Sequence, residues 1–368
     1  MFFNHKSFFP LRRRDNIGFL DITKYGHEQY QDIIINDVVI KKATGNHETE
    51  ARYKIIQDVL NRYHRTFCML DIGASQGYFS FRAAHDYDCV CVMIEGNNAE
   101  YPKVGNQLLD LCRANDSLDN IILLNKEVVP KDLIKLGECE SFSVVLALNI
   151  IHWFGPRWKE VADAIFNLGD NIIIETPPEE EHASNEQNYL RKEIEEYLIF
   201  REAKIIGKVP RHTSNEMASI YLLESEKTQL VRKHWLAPET NDKYRITSNY
   251  ETKTITKWPP HAETMKVYDW KPGINLITFL MYNGAYPSRE KIEEAVKDIQ
   301  DTSHNDWTVN NMILHGDQAS LIDWDDPAHG SNGGRRSTPK ILKAHLHLVG
   351  LRNPAKVENY FWDHLIKI

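Results

Sequence analysis

Asp71, Gly73 and Gly77, in the run LDIGASQGYFS, have types and spacing suited to holding a cofactor. The run follows an apolar, strand-like stretch and opens into a helical pattern. Glycines at such a turn let the backbone approach a ligand closely. The spacing is Gly-x-x-x-Gly, which departs from the Gly-x-Gly-x-x-Gly of dinucleotide binding. Glu95 closes the next apolar run, in VMIEGNN, where a carboxylate can accept both ribose hydroxyls of a bound nucleoside. A lone glycine pair would equally suit a tight turn, with Glu95 solvated. Strand, glycine turn, helix, strand and terminal acid, in that order, favour a nucleoside-bearing cofactor.

Those residues need a scaffold, and the chain alternates as a doubly wound fold does. Short apolar runs, CVCVMI, NIILLN, FSVVLALN and DNIIIET, predict strands. Between them lie helical stretches at 79–85, 99–115, 131–136 and 157–168. Continuous apolar strands imply a parallel sheet covered by helices on both faces, the α/β class. An acidic segment ending as a helix follows, and KIIGKVP and MASIYLLES close the sheet near Ser225. Upstream, QDIIINDVVIKKA predicts a hairpin turning at Asn36-Asp37. Tyr53, Ile56, Val59 and Leu60 recur at helical spacing. The chain therefore divides into an N-terminal arm and hairpin (1–50), an α/β domain (51–225) and a remainder (226–368).

On these residues, 68–225 resemble the class I, Rossmann-like S-adenosyl-L-methionine-dependent methyltransferases. Asp71, Gly73 and Gly77 match the family's first motif, and Glu95 its second-strand acid. The resemblance implies cofactor contacts from Ala74, Ser75, Tyr78, Phe79 and Gly96 around those positions. It implies that Asn125 and Glu127, after the third strand, lie near the adenine. In LALNIIHWF, after the fourth strand, Asn149 would line the methyl group. His152 either serves there as base or acceptor-orienting group, or packs beside Trp153. Methyl transfer itself is an in-line displacement from a sulfonium, so the protein supplies alignment and a base where the acceptor needs one.

Two C-terminal fragments, HNDWTVNNMIL and LIDWDD, carry an Asp, an Asn five residues on, and a second Asp after an apolar strand. Kinase-like phosphotransferases use such parts. Asp306 would be the phosphotransfer base, while Asn311 and Asp323 would hold Mg²⁺ on the phosphates of ATP. DWKPGINLITFL resembles the passage from hinge to first C-lobe helix in aminoglycoside-kinase-like proteins. Residues 226–368 thus look like a truncated, mainly helical kinase-like C-lobe. Too little chain lies between Ser225 and Tyr268 for a full N-lobe, and no glycine occurs between Gly207 and Gly273. Phosphotransfer on that part therefore competes with a degenerate lobe that binds substrate or props up the methyltransferase.

A methyltransferase followed by a kinase-like part resembles the chain-terminating methyltransferase–kinases of bacterial O-antigen polymannose synthesis. That resemblance implies a saccharide or glycan-phosphate acceptor in polysaccharide synthesis. Arg211 and His212, before the last strand, would then meet the acceptor, or form a solvated basic turn. Glu175, ending NIIIE, would orient an acceptor hydroxyl or cap a turn.

A net charge of −8 at pH 7 and the absence of a basic tract argue against extended nucleic acid as a partner. No apolar run reaches the roughly 20 residues of a membrane span. The five cysteines form no CxxC pair, and several sit in apolar runs, so buried free thiols and a cytoplasmic setting are expected. Three readings compete: a saccharide methyltransferase, a bifunctional methyltransferase–kinase, and a non-catalytic scaffold that keeps the cofactor fold. Intact Gly73, Gly77 and Glu95 count against the scaffold.

Overall fold

The computed structural model of the chain describes residues 8–12, 17–21, 30–44, 48–64, 66–97, 103–177, 185–210, 217–224, 272–297 and 312–321. Strands β1 (Phe8–Arg12) and β2 (Ile17–Asp21) pair antiparallel. The predicted hairpin follows as β3 (Ile33–Ile35) and β4 (Val38–Lys41). Asn36 and Asp37 turn it with φ of 49° and 63°. Two consecutive positive φ angles match the strand twist in a two-residue loop, and Asn and Asp tolerate them. Helix α1 (Thr49–Leu60) then buries Tyr53, Ile56, Val59 and Leu60, the positions spaced for one face.

The α/β alternation runs through β5 (Phe67–Ile72), α2 (Tyr78–Asp86), β6 (Cys89–Glu95), α3 (Val104–Ala114) and β7 (Ile121–Asn125). It continues with α4 (Pro130–Cys139), β8 (Phe142–Leu148), a 3₁₀ segment (Ile151–Arg157), α5 (Trp158–Phe166) and β9 (Gly169–Glu175). Helix α6 (Asn185–Phe200) leads to β10 (Lys204–Pro210) and β11 (Met217–Glu224). The sheet order is β10-β11-β9-β8-β5-β6-β7, with β5 to β9 parallel and β11 antiparallel to both its neighbours. A parallel sheet that reverses direction from its first strand, with one antiparallel strand inserted beside its far edge, is the Rossmann-like methyltransferase fold.

Strand alternation splits the core in two. Cys68, Leu70, Ile72, Val92 and Ile94 face α4, α5 and α6, while Met69, Cys91, Met93, Val144 and Ile173 face α1, α2 and α3. Continuous apolar strands are what a sheet covered on both faces demands. All five cysteines are free thiols buried in this fabric, as expected. Among the described residues no helix is long and apolar enough to cross a membrane.

The described C-terminal elements are β12 (Ile274–Asn275), α7 (Leu276–Met281), β13 (Gly284–Tyr286), α8 (Arg289–Lys297), β14 (Met312–Leu314) and β15 (Ala319–Leu321). Asn275 caps α7, its side-chain oxygen accepting from the Ile277 N–H at 3.1 Å. The apolar strand leading to Asp323 forms as β15, paired with β14 and, through it, β12.

This region packs into the α/β core. β13 adds to the main sheet as an eighth strand, antiparallel to β7. Ile274, Leu276, Ile277, Phe279 and Met312 join the same buried cluster as Leu70 and Ile94. Glu140, just before β8 and 1 % exposed, accepts from the Asn275 N–H at 2.9 Å and the Thr278 hydroxyl at 2.5 Å. Burial raises its pKa to about 7, against the pull of those two donors. Lys291 binds Asp116 at 2.7 Å and Asp317 at 3.3 Å, so helix α8 is tied to the turn before β7.

Candidate functional site

In a parallel α/β sheet, ligands bind beyond the carboxyl ends of the strands, where the order reverses. Here that point lies between β5 and β8, and the loop after β5 is the Gly-x-x-x-Gly turn. Gly73, Ser75 and Gly77 all have positive φ, at 72°, 54° and 76°. Such angles suit glycine and strain most other residues. A Cβ on Gly73 would come within 2.4 Å of Ile150, and one on Gly77 within 2.7 Å of Leu108. The Gly73 and Ala74 N–H groups both donate to the Ile94 carbonyl, at 2.9 and 3.3 Å, which folds the turn toward the end of β6.

Glu95 stands at that end. Its carboxylate accepts from the Ser75 N–H at 2.8 Å and its neighbour Gly96 N–H at 2.9 Å, one donor on each oxygen. Each oxygen keeps a lone pair for a further donor, as a ribose diol requires. Burial is the main reason its pKa rises to about 7, and the two N–H groups work against that rise. Gly96 packs against the loop after β7 so closely that a Cβ would lie 2.2 Å from the Glu127 nitrogen. Gly96 and Glu127 therefore meet, as the adenine pocket would need. Asn125 lies beside them, its backbone exchanging hydrogen bonds with Asn283 at 3.1 and 2.7 Å. Glycine-lined backbone and a half-satisfied carboxylate fit a nucleoside cofactor.

Other expected contacts sit deeper. Asp71 is 2 % exposed, accepts from the Ser80 hydroxyl at 2.9 Å, and is pushed by burial to about 7. It ties β5 to α2 beneath the turn. Tyr78 and Phe79 are core residues, and the Tyr78 hydroxyl donates to Glu50 at 2.6 Å. The arm reaches this turn as well. The Gln31 N–H donates to the Gln76 side chain at 2.9 Å, and the Gln31 side chain accepts from the Tyr78 N–H at 2.9 Å. Gln31 thus caps α2 and closes over the loop in one exchange.

One strand further along lies a second cluster. Asn149, φ 55°, follows β8, and its N–H donates to the Glu175 carbonyl at the end of β9, 3.1 Å away. Its side-chain amide donates to the Tyr30 hydroxyl at 2.9 Å. His152 is buried on the 3₁₀ segment, its ring 5.3 Å from that of Trp153. Glu175 is also buried. Arg52 of α1 grips it side-on, Nε donating to the two oxygens at 3.2 and 3.0 Å and Nη2 to Oε1 at 3.0 Å. Nη2 also donates to the Pro210 carbonyl at 3.3 Å. Burial acts to lower the Arg52 pKa, and the Glu175 carboxylate more than reverses it, so the guanidinium stays charged.

Arg52 is absent from the sequence-level site. Its neighbours, TEARYKII, give only a helical pattern, and the signal that could have singled it out is an arginine whose helical position falls on the buried face. Arg211, His212, Asp306, Asn311 and Asp323 lie outside the described residues. The structure thus brings together Gly73, Ala74, Ser75, Glu95, Gly96 and Glu127 on one side, and Asn149 and Glu175 on the other, with His152 buried beside Trp153 three residues after Asn149.

No family model matches the chain, and no curated protein matches it. Among solved structures the chain is similar to the bifunctional kinase-methyltransferase WbdD, at 15 % identity and TM-score 0.41, over 87 % of this chain and 94 % of that one. It is also similar to the N-terminal domain of EvdMO1 with SAH bound, at 11 % identity and TM-score 0.38, over 53 % and 90 %. A third similarity is to magnesium protoporphyrin IX methyltransferase (ChlM) from Synechocystis PCC 6803 with bound SAM, at 13 % and 0.36, over 49 % and 80 %. The strand order, rather than these similarities, fixes the fold as that of the Rossmann-like methyltransferases.

Proposed function

We propose that this chain is an S-adenosylmethionine-dependent methyltransferase whose acceptor is a saccharide hydroxyl or a phosphate linked to a glycan. The observation that carries it is Glu95, held by Ser75 and Gly96 N–H groups across a glycine turn at the reversal point of the sheet. Bound there, S-adenosylmethionine supplies an electrophilic methyl on a sulfonium. The chain's part is to hold the ribose at Glu95, seat the adenine beside Gly96 and Glu127, and shut water out with Gln31 and Tyr30. His152, after β8, is the candidate to take the acceptor proton. The saccharide acceptor follows from the sequence resemblance, and so does the place in surface-polysaccharide synthesis.

Titration calorimetry with S-adenosylmethionine tests the reading, followed by a tritium-transfer assay on glycan fractions. Micromolar binding that is lost in Glu95→Ala supports it, and absence of binding by the folded protein sinks it. A parallel titration with Mg²⁺·ATP separates the bifunctional reading. Binding that disappears in Asp323→Ala would assign phosphotransfer to the C-terminal region.

A further inference from the structure

The C-terminal region reaches the base end of the candidate cofactor site. Asn283, between α7 and β13, takes both backbone groups of Asn125. The Asn125 N–H donates to the Asn283 carbonyl at 3.1 Å, and the Asn283 side-chain amide donates to the Asn125 carbonyl at 2.7 Å. The Asn283 backbone is left-handed, with φ of 54°, a conformation asparagine tolerates better than most residues. Tyr282 beside it is buried, and its hydroxyl donates to the Asp132 carbonyl at 2.6 Å. The Lys126 ammonium lies 4.9 Å from the centre of the Tyr282 ring and pairs with Asp132 at 3.0 Å. Asn125 and Lys126 are thus both held from the C-terminal region, and Glu127 follows them directly.

That loop is closely packed on its other side. A Cβ on Gly96 would fall 2.5 Å from the Lys126 carbonyl carbon and 2.2 Å from the Glu127 nitrogen. The Gly96 N–H in turn donates to Glu95 at 2.9 Å. Contacts therefore run without a gap from Tyr282 and Asn283, through residues 125–127 and Gly96, to the ribose-binding carboxylate. Packing this close leaves little room for one member to shift alone. The other ties of the C-terminal region sit elsewhere. Glu140 stands before β8 and Asp116 before β7, at the amino ends of those strands. Asn283 meets β7 at its carboxyl end, where the candidate site lies.

We propose that Tyr282 and Asn283 are positioning residues for the cofactor's base, so that packing of the C-terminal region and binding of the cofactor strengthen each other. The proposal rests on the methyltransferase reading and adds to it a regulation of the same site. Linkage makes the effect reciprocal: a clasp that favours binding is itself favoured by binding.

The test uses the full-length protein and two ligands, S-adenosylhomocysteine and S-inosylhomocysteine, which differ only at the 6-position of the base. Asn283→Asp keeps a residue that accepts the left-handed backbone, but it sets an acceptor where the donor faced the Asn125 carbonyl. In calorimetry it should bind S-adenosylhomocysteine about fivefold more weakly, with less preference for it over the inosine analogue. Tyr286→Phe deletes the hydroxyl bond to Asp116 at 2.9 Å, away from the loop at 125–127. It should leave S-adenosylhomocysteine affinity within about twofold. In the wild type, saturating S-adenosylhomocysteine should slow backbone hydrogen exchange over residues 282–286 and leave the β14–β15 hairpin unchanged. Unchanged affinity in Asn283→Asp, equal weakening of both ligands, an equal loss in Tyr286→Phe, or no slowing at 282–286 with ligand bound overturns the proposal. The exchange result decides the matter even where a variant fails to fold. A folded wild type that does not bind S-adenosylhomocysteine overturns the cofactor reading, and the proposal with it.

Discussion

The two halves of the site are built in different ways. On the proposed cofactor side the contacts come mainly from backbone, and the residues are close in sequence. Gly73, Ala74, Ser75 and Gly77 form one turn, and Glu95 closes the next strand. On the proposed acceptor side the contacts come mostly from side chains of the arm, α1, the residue after β8 and β9, with a backbone carbonyl from β10. Tyr30, Arg52, Asn149, Glu175 and Pro210 meet only because the chain has folded. A backbone cradle depends on φ angles and room, and tolerates changes in its surroundings. A side-chain cluster depends on mutual pairing, and loses its logic when one member goes.

The sharpest break in that comparison is Arg52→Leu. It leaves Glu175 buried and unpaired, a loss of about 3–5 kcal/mol for such pairs. Chemical denaturation should show it, and Arg52→Leu with Glu175→Leu should recover much of the loss. If the single variant is as stable as wild type, the acceptor side is not held by mutual pairing. Next is Glu95→Ala, on the cofactor side. S-adenosylhomocysteine affinity should fall about 100-fold, near 2.7 kcal/mol, while the melting temperature changes little. A large loss of stability with unchanged affinity would make Glu95 structural.

The third prediction concerns the C-terminal attachment at Glu140. A carboxylate whose folded pKa is raised, here to about 7 from an ordinary 4.5, favours folding while protonated. Its contribution is full below about pH 4.5 and is lost as pH rises toward 7. Wild type should therefore lose stability between pH 5 and 8 on this account, by about 3 kcal/mol at most. Glu140→Gln should flatten that slope in thermal scans across the range, and an unchanged slope would remove Glu140 as its source. The smallest effect is expected from Tyr30→Phe, which deletes one hydrogen bond from Asn149. A cost of about 0.5–1.5 kcal/mol in acceptor-side order should appear as faster amide exchange at Asn149, with cofactor affinity unchanged.

The C-terminal region shows why spacing reads local chemistry better than packing. HNDWTVNN and LIDWDD point to a kinase-like part by order and residue type; a helix forms within DWKPGINLITFL and an apolar strand leads to Asp323, while Asp306, Asn311 and Asp323 lie outside the described residues. Nothing in those residues announced that β13 would hydrogen-bond to β7, because an edge strand of three residues carries no address for its partner. Nor did Glu140, in GECESFS, carry any sign that its carboxylate would receive Asn275 and Thr278.

By itself the sequence determined the α/β alternation, the hairpin turn at Asn36-Asp37, the strand ends and the glycine turn after β5. Each depends on the period of apolar residues or on backbone angles that Gly, Asn and Asp accept. Tertiary structure alone decided that Arg52 pairs with Glu175, that Gln31 caps α2, and that Tyr30 reaches Asn149. Those pairings join positions far apart in the chain. Local propensity has no bearing on them, and they arise only when burial forces each polar group to find a partner.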